Sequence, residues 1–265
     1  MKRLRLFEIH ERPGCPASLR DAVTDYLQFL AGFLGYFRSV IPLLCRSLDR
    51  SDTRNLVDLA AGGGGPWLGM LRRGAEELPR DWSVLLTDLY PNLPAFRRAS
   101  LRSSGRISFR VSPVDATRVP PDCRGMRTVF GALHHFTDAE VTAMIRDAAR
   151  RREAFASFEP QERRPLSMLS ILAIPLAAWL TMPFVRPFRW SRLFWTYPLP
   201  IAPLILGFDG IVSCMRTHSP EELRFLVDDA GVAGYRWETG RVRMRGLPLR
   251  ITYLVGAPRD GAPLA

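Results

Sequence analysis

Four consecutive glycines directly after an apolar strand constrain this chain more than any other feature. The run NLVDL (Asn55–Leu59) predicts a buried strand, Gly62–Gly65 follow it, and Pro66 stands where a helix would begin. Glycine lets the backbone approach a ligand closely, and a helix N-terminus offers free N–H groups and the positive end of its dipole. A flexible tight turn is the alternative interpretation of a glycine run alone.

The rest of the chain alternates short apolar runs with amphipathic stretches. The spacing of apolar residues predicts one helical stretch from Ser18 to Leu48. Strands are predicted at Asn55–Leu59, Ser83–Thr87, Ile107–Val111, Thr128–Ala132, Ala154–Phe158, Tyr235–Thr239 and Arg250–Val255. Strands that alternate with helices are typical of an α/β sheet covered by helices on both faces.

Polar side chains stand where several of these strands end. Asp88 ends the second strand, 24 residues after Gly64, where a carboxylate can accept hydrogen bonds from both hydroxyls of a ribose. Asp115 follows the third strand, where a side chain can meet the exocyclic amine of a base, and the fourth strand ends in GALHHF. Because open α/β sheets bind ligands at the carboxyl ends of their strands, we expect these groups to line one site.

These motifs resemble those of the class I S-adenosylmethionine (SAM)-dependent methyltransferases. VDLAAGGGG is similar to that family's first motif, TDLY to its second, VDAT to its third, FGALHHF to its fourth and FASFEP to its fifth strand. The resemblance covers about 55–160 and resumes at Thr217. It implies an α/β, Rossmann-like seven-stranded methyltransferase sheet with helices on both faces, an N-terminal helical extension and an apolar helical insert after the fifth strand. It also implies SAM as the cofactor and methyl transfer as the reaction.

The same resemblance divides the chain into four segments. They are an N-terminal helical segment or cap (1–50), a SAM-binding α/β core (51–160), the apolar insert (161–216), and the last helix and two strands of the core (217–265).

The resemblance further implies roles for individual residues. Asp88 would hold the ribose, with Leu89 against the adenine, and Ala60 stands where the family usually has its first glycine. The residues implied to bind the cofactor are Asp58, Ala60, Gly62, Gly64, Asp88, Leu89, Asp115, Ala116 and Leu133. A nicotinamide-binding GxGxxG pattern would need a glycine at Trp67, so that class of enzyme fits poorly.

Three residues are candidates for the catalytic base that a hydroxyl or ammonium acceptor would need. His134 and His135 lie nearest the sulfonium by motif position, and Glu159 ends the fifth strand. As alternatives, His134 lines the pocket, His135 packs against or caps the next helix, and Glu159 is a turn residue.

The acceptor is constrained mainly by exclusion. GALHH differs from the (D/N)PP(Y/F) motif of enzymes that methylate base amino groups. The Lys-Asp-Lys-Glu form of ribose methylation is excluded because Lys2 is the only lysine. We therefore expect a small, hydrophobic acceptor.

The insert contains Leu166–Val185, a run of 20 residues without a charge, flanked by arginines. Its length suits a membrane span, but a single crossing would separate the last helix and strands from their sheet. Three interpretations stay open: a substrate lid, a hairpin of 166–208 lying in a membrane interface, and a dimer interface. Asp209, Arg216 and His218, where the chain re-enters the core, would face the acceptor or serve as turn and cap residues.

Charge and cysteine content limit the remaining partners. There are 37 Lys+Arg against 26 Asp+Glu, a net charge of +11, but the scattered arginines do not form the mixed runs of a nucleic-acid surface. The four cysteines lie far apart and no metal-ligand spacing occurs, so we expect no metal site. Without an apolar leader, we expect a cytoplasmic protein, and a peripheral position on the inner membrane face is an alternative. An RNA-modifying methyltransferase and a non-catalytic membrane-associated scaffold are the rival functions.

Overall fold

Seven strands of the described residues form one sheet in the order β3-β2-β1-β4-β5-β7-β6. The computed structural model describes residues 2–51 and 53–259, so the prediction for 260–265 lies outside the described residues. The strands are β1 (Asn55–Leu59), β2 (Ser83–Leu86), β3 (Ile107–Phe109), β4 (Met126–Phe130), β5 (Phe155–Glu159), β6 (Tyr235–Arg243) and β7 (Arg250–Pro258). Strands β1 to β5 are parallel, and β7 pairs antiparallel with both β5 and β6. The predicted α/β sheet is therefore confirmed.

Helices cover both faces of this sheet. In the described residues they are α1 (Ala17–Leu34), α2 (Ile41–Asp49), α3 (Trp67–Gly74), α4 (Leu93–Leu101), α5 (Asp138–Arg150), α6 (Pro165–Leu172), α7 (Ile174–Thr181), α8 (Trp190–Phe194), α9 (Ile201–Arg216) and α10 (Pro220–Ala230). Side chains of a strand alternate between faces, so Leu56 joins the core under α2 and α3 while Val57 joins the core under α5 and α10. Helices α5 and α10 both begin with a complete capping box.

The N-terminal helical stretch is divided, which corrects the prediction of continuous helix from Ser18 to Leu48. Gly35 adopts a left-handed conformation (φ 63°) and its N–H bonds to the Ala31 carbonyl at 2.9 Å, so α1 ends at Leu34. A 3₁₀ turn (Tyr36–Val40) then leads into α2. The fourth strand is likewise displaced, to Met126–Phe130 instead of Thr128–Ala132.

The insert is a group of short helices, α6 to α9, that packs on α1. Their inner faces form a third apolar cluster, in which Tyr26 of α1 meets Ala178 and Leu206. Their outer faces stay uncovered, because Leu169, Leu172, Leu176 and Leu204 each expose more than 60% of their area. By length and composition, one stretch of the described residues, Pro165–Phe184, could cross a membrane, and the bent pair Ala17–Leu34 and Tyr36–Asp49 would be a second.

The segment before α1 lies across the carboxyl edge of the sheet. Leu4 N–H bonds to the Met215 carbonyl at 3.1 Å, and Arg3 bonds to the Arg216 carbonyl at 2.7 Å. Arg3 also forms an ion pair with Asp138, at the start of α5. The N-terminal segment is thereby fixed over the ends of β4 and β5.

Candidate functional site

Asp58, near the end of β1, lies beneath the glycine loop. Its carboxylate is almost fully buried and accepts hydrogen bonds from Trp67 Nε1 and the Thr128 hydroxyl, both at 2.8 Å. Burial raises the pKa of this carboxyl to about 7, and the charge of Asp88 adds to the shift while the two hydrogen bonds oppose it. Asp58 therefore supports the loop from below and joins it to β4 and α3.

The glycine loop passes through space that larger residues could not share. A Cβ on Gly63 would lie 2.6 Å from the Thr24 carbonyl of α1, and one on Gly65 would lie 2.6 Å from Asp58 Oδ2. Ala60 adopts φ 53°, the left-handed region that normally favours glycine. The alanine at this position therefore keeps the backbone conformation that the missing glycine would have.

Asp88 joins three parts of the strand-end edge. Its carboxylate accepts the Gly62 N–H at 2.7 Å and the Tyr90 N–H at 2.8 Å, and its carbonyl accepts the Val114 N–H at 2.8 Å. The adjacent Asp115 is exposed and accepts both the N–H and the hydroxyl of Thr117, at 2.8 and 2.7 Å. The glycine loop, Asp88 and the Asp115 turn therefore meet in one place, as the sequence predicts.

A buried histidine–carboxylate group lies at the ends of β4 and β5. His134 Nδ1 is 2.8 Å from Glu159 Oε2, and its Nε2 is 3.3 Å from Glu8 Oε1 of the N-terminal segment. Burial alone would lower the pKa of His134, but the Glu159 and Glu8 carboxylates raise it to about 10. His134 is therefore charged at neutral pH in this arrangement and has no free lone pair for an acceptor proton.

His135 stacks on His134, with ring centroids 4.1 Å apart, and differs from it electrostatically. Its Nδ1 bonds to Glu11, which also receives a bond from Arg216 at 2.7 Å. Burial and the charge of His134 lower the pKa of His135. His135 is therefore the member of the pair that is neutral near pH 7.

The three candidate acceptor residues are all buried. Asp209 accepts the Ile9 N–H at 2.8 Å and lies 2.7 Å from His10 Nδ1, and Arg216 donates to the His134 carbonyl at 3.0 Å. His218 Nε2 lies 3.0 Å from Asp138, away from the other histidines. Asp209 and Arg216 join the group around His134, while His218 belongs to the contact with α5.

Two residues that are predicted to bind the cofactor, Leu133 and Leu89, differ in how accessible their side chains are. The Leu133 side chain is fully buried in the core under α5, and its N–H bonds to Glu159 Oε1 at 2.6 Å, so only its backbone lies at the edge. Leu89 is 48% exposed beside Asp88 and can cover a flat ring.

Three functional candidates escape sequence reasoning altogether: Glu8, His10 and Glu11. They lie more than 120 residues from His134 in the chain, and no spacing motif joins them to it. The only sequence signal is the density of titratable residues in FEIHER, which also suits an ordinary solvated segment.

The topology decides the fold. Five parallel strands continue into an antiparallel hairpin with β7 inserted between β5 and β6. The glycine loop after β1 meets Asp88, the acid after β2. The chain has the class I methyltransferase fold.

Solved methyltransferases are similar to this chain at low identity. An O-methyltransferase family protein from Burkholderia thailandensis is 17% identical over 84% of this chain and 58% of its own (TM-score 0.45). Human N-acetylserotonin methyltransferase in complex with SAM is 13% identical over 89% and 56% (TM-score 0.46). Magnesium protoporphyrin IX methyltransferase from Synechocystis, with bound SAH, is 14% identical over 82% of both chains (TM-score 0.42).

The present chain thus spans little more than half the length of the first two of these proteins. Identities this low leave its acceptor open. No protein-family model and no curated protein matches the sequence.

A separate groove with a cavity volume of about 910 Å³ lies on the flank of this methyltransferase fold, between α1, α3, α4 and the insert. Apolar side chains such as Phe29, Phe33 and Phe184 line it, and its lining has no acidic residue among the described residues. Its arginines are Arg72, Arg73, Arg97, Arg98, Arg102 and Arg186. Burial and the neighbouring Arg102 and Arg72 lower the pKa of Arg98, and the Asp25 carboxylate opposes this shift.

Proposed function

We propose that this chain transfers a methyl group from SAM to a small, hydrophobic acceptor. One observation carries the proposal. The Asp88 carboxylate accepts the Gly62 N–H of the glycine loop at 2.7 Å, and the Asp88 backbone carbonyl accepts the N–H of Val114, the residue before Asp115, at 2.8 Å. Because a nucleoside must contact all three segments at once, their convergence supports a nucleoside-containing cofactor.

The residues present fit that cofactor. Asp88 uses two of about four acceptor positions on its carboxylate for backbone N–H groups, so it can still accept from ribose hydroxyls. Leu89 would cover the adenine, and Asp115 and Ala116 would meet its edge. The methionine part would lie along Ala60, Gly62 and Gly64, with Asp58 supporting the loop and the Leu133 backbone closing the far side.

Bound SAM supplies a methyl group that is attached to a sulfonium sulfur. Because the sulfur leaves as a neutral thioether, little charge has to be stabilised. The protein's main task is therefore to hold the acceptor in line with the methyl group and to exclude water. His134, His135 and Glu159 lie at the ends of β4 and β5, and we assign them to the acceptor side of the cleft.

The acceptor's hydrophobic character is argued from the insert. Residues 163–208 contain five arginines and no Asp or Glu, and their outer face exposes leucines, Trp179 and Trp190. Phe184 and Arg186 of this segment also line the arginine-rich groove. Arg163, Arg189 and Arg192 form ion pairs with Glu222, Asp21 and Asp25, so the basic character of this surface comes from the groove, whose described lining has six arginines and no acid. Apolar side chains beside such a cluster of arginines suit an anionic lipid surface. We therefore propose that 166–208 binds the surface of an anionic membrane and that the acceptor is lipophilic.

Vesicle sedimentation tests the membrane part of the proposal. We expect the full chain to bind vesicles containing phosphatidylglycerol more tightly than pure phosphatidylcholine, and to bind less at high salt. The double variant Leu172→Glu, Leu176→Glu should lose most of this binding, whereas Phe225→Glu on the outer face of α10 should not. Equal vesicle binding by the double variant and by Phe225→Glu would overturn the membrane proposal. A dimer in solution that only the double variant dissociates would overturn it as well.

Methyl transfer itself is tested with isotope-labelled SAM and fractionated cell extract. We expect a labelled product, heavier by one methylene unit, from the lipid-soluble fraction. At a low concentration of SAM, Asp88→Ala should reduce its rate of formation about 10–100-fold. Asp122→Ala, at an exposed acid beside Arg110, should leave that rate unchanged. Labelled product from RNA alone would instead support the RNA-modifying alternative.

A further inference from the structure

Three of the four histidines in the chain meet at one buried point, around the carboxylate of Glu8. They come from separate parts of the sequence, since His10 lies before α1 while His134 and His135 follow β4. The carboxylates that surround them are Glu8, Glu11, Glu159 and Asp209.

The ligand atoms of Glu8, His134 and His135 all lie within 4.8 Å of one another, which is close enough for them to share one ion after small shifts. Glu8 Oε1 is 3.3 Å from His134 Nε2, and Glu8 Oε2 is 3.7 Å from His10 Nδ1 and 3.8 Å from His135 Nδ1. Two ligands bound at about 2.0–2.2 Å from a tetrahedral ion lie roughly 3.3–3.6 Å apart. The two longer separations exceed a hydrogen bond.

Two polar atoms at this point lack a hydrogen bond. Glu8 Oε2 and His134 Nε2 are buried and have no hydrogen bond among the described residues, although Glu8 is 1% exposed and His134 is 3% exposed. A buried polar atom that makes no hydrogen bond is costly. An ion bound between these two atoms would remove that cost from both of them.

The surrounding contacts are those that orient metal ligands. Glu159 holds His134 through Nδ1 at 2.8 Å, which turns Nε2 toward Glu8. Glu159 is itself fixed by the Leu133 N–H and by Gln161, at 2.6 and 2.8 Å. A carboxylate behind a ligating histidine fixes the ring and raises its basicity.

The charge balance also leaves room for a cation. Within the described part of the chain, four carboxylates face two cations, the His134 imidazolium and the guanidinium of Arg216, which lies 2.7 Å from Glu11 and 3.6 Å from Glu8. Uncompensated negative charge in a buried cluster is unfavourable, and a divalent ion would offset it.

We propose that this cluster binds one divalent first-row transition metal ion. Glu8 and His134 are its central ligands, and His10 and His135 flank them. Because a ligating histidine must be neutral at the metal-binding nitrogen, the ion displaces the proton from His134 Nε2 when it binds. The mixed nitrogen and oxygen donors suit Zn²⁺, Mn²⁺ or Fe²⁺ rather than Mg²⁺ or Ca²⁺, which take oxygen ligands. The ion ties the N-terminal segment to the β4 edge beside the acceptor side, and its binding does not depend on the proposed methyl transfer.

Calorimetric titration of the chelator-treated full chain with Zn²⁺ alone tests this site. We expect one ion per chain, and affinities about 100-fold weaker or more in Glu8→Gln and in His134→Gln, since even changes behind a ligand cost 10–100-fold. His218→Gln, which removes the fourth histidine, should bind like the natural protein. Absence of binding, equal binding by all variants, or equally tight binding of Mg²⁺ would overturn the proposal.

A second measurement covers variants that fail to fold. His10 and His135 have partly exposed side chains (14% and 22%), so His10→Gln and His135→Gln disturb the core least. Co²⁺ bound to the natural protein should give a visible absorption band that changes in both variants, and an unchanged band would contradict the site. SAM binding by the metal-free protein, measured in parallel, separates failure of this site from failure of the proposed function.

Discussion

At the scale of single residues, the carboxyl of Asp58 is buried, and no cation lies beside it among the described residues. Its direct partners are the hydrogen-bond donors Trp67 and Thr128, so burial dominates and raises its pKa to about 7. Because this exceeds the ordinary value of 3.8, the folded state binds the proton more tightly than the unfolded state does. The protonated Asp58 carboxyl therefore stabilises the folded state. Its contribution to the free energy of unfolding is complete below about pH 4 and is lost as the pH rises through about 7.

The variant Asp58→Asn should therefore gain stability relative to the natural protein as the pH rises. An asparagine can accept from Trp67 and donate to the Thr128 hydroxyl, so both hydrogen bonds survive without the charge. Between pH 5 and pH 8, we expect its relative free energy of unfolding to rise by about 2–3 kcal/mol. Urea denaturation at several pH values measures this, with exposed Asp81→Asn as the control. Parallel pH profiles for Asp58→Asn and the natural protein would contradict the shifted pKa.

At the scale of elements, a buried ion pair joins α1 to the insert. Arg192 of α8 forms an ion pair with Asp25 of α1, and Asn92 donates to Asp25 at 2.8 Å. Burial raises the pKa of Asp25 and lowers that of Arg192, so desolvation outweighs their attraction on both sides. The pair therefore specifies where the insert docks more than it stabilises the contact.

Removing one partner of this ion pair should lower the free energy of unfolding much more than replacing both partners. Arg192→Ala leaves Asp25 with only the more distant Arg189 Nε, at 3.9 Å, and Asp25→Ala leaves the buried Arg192 without its carboxylate, so each should cost about 3–5 kcal/mol of unfolding free energy. The double variant Asp25→Leu, Arg192→Met should lose far less than the sum of the two single changes. Urea denaturation of the four proteins measures the difference, and simple additivity would show that the two side chains do not interact.

The elements that the sequence predicts well are those whose signal is local. The helix Pro220–Ala230 is encoded locally, because Ser219 and Glu222 form its capping box and Gly231 ends it. The fourth strand is displaced because apolar residues continue past Phe130 to Leu133, and periodicity alone does not distinguish strand from the following turn. The contact between Asp25 and Arg192 bridges 167 residues, and no local pattern encodes it.

The candidate site likewise contains residues that can be predicted from the sequence and residues that cannot. Gly62, Asp88 and Asp115 are predictable because parallel strands bring their carboxyl ends to one edge. Glu8 and His10 are not, because they reach that edge on a segment whose docking depends on contacts with α9 and Asp138. The expectation of no metal site rests on ligand spacing in sequence, and the histidines that meet around Glu8 have none.

At the scale of the whole molecule, two surfaces of opposite character share one fold. The strand-end edge is covered by α1 and the N-terminal segment, whereas the outer face of the insert is apolar, basic and uncovered. This arrangement suits the proposal that the strand-end edge holds the cofactor and the acceptor together, while the insert contacts the membrane from which a lipophilic acceptor would come.

The most direct test of the central claim is calorimetric titration of the full chain with SAM. We expect one binding site, and about 10–100-fold weaker binding in Asp88→Ala, because one or two hydrogen bonds to a charged group contribute about 1.5–3 kcal/mol. Asp122→Ala should bind as tightly as the natural protein. If the natural chain binds no SAM, or if Asp88→Ala binds it equally well, then the glycine loop and the two acids do not form a nucleoside site.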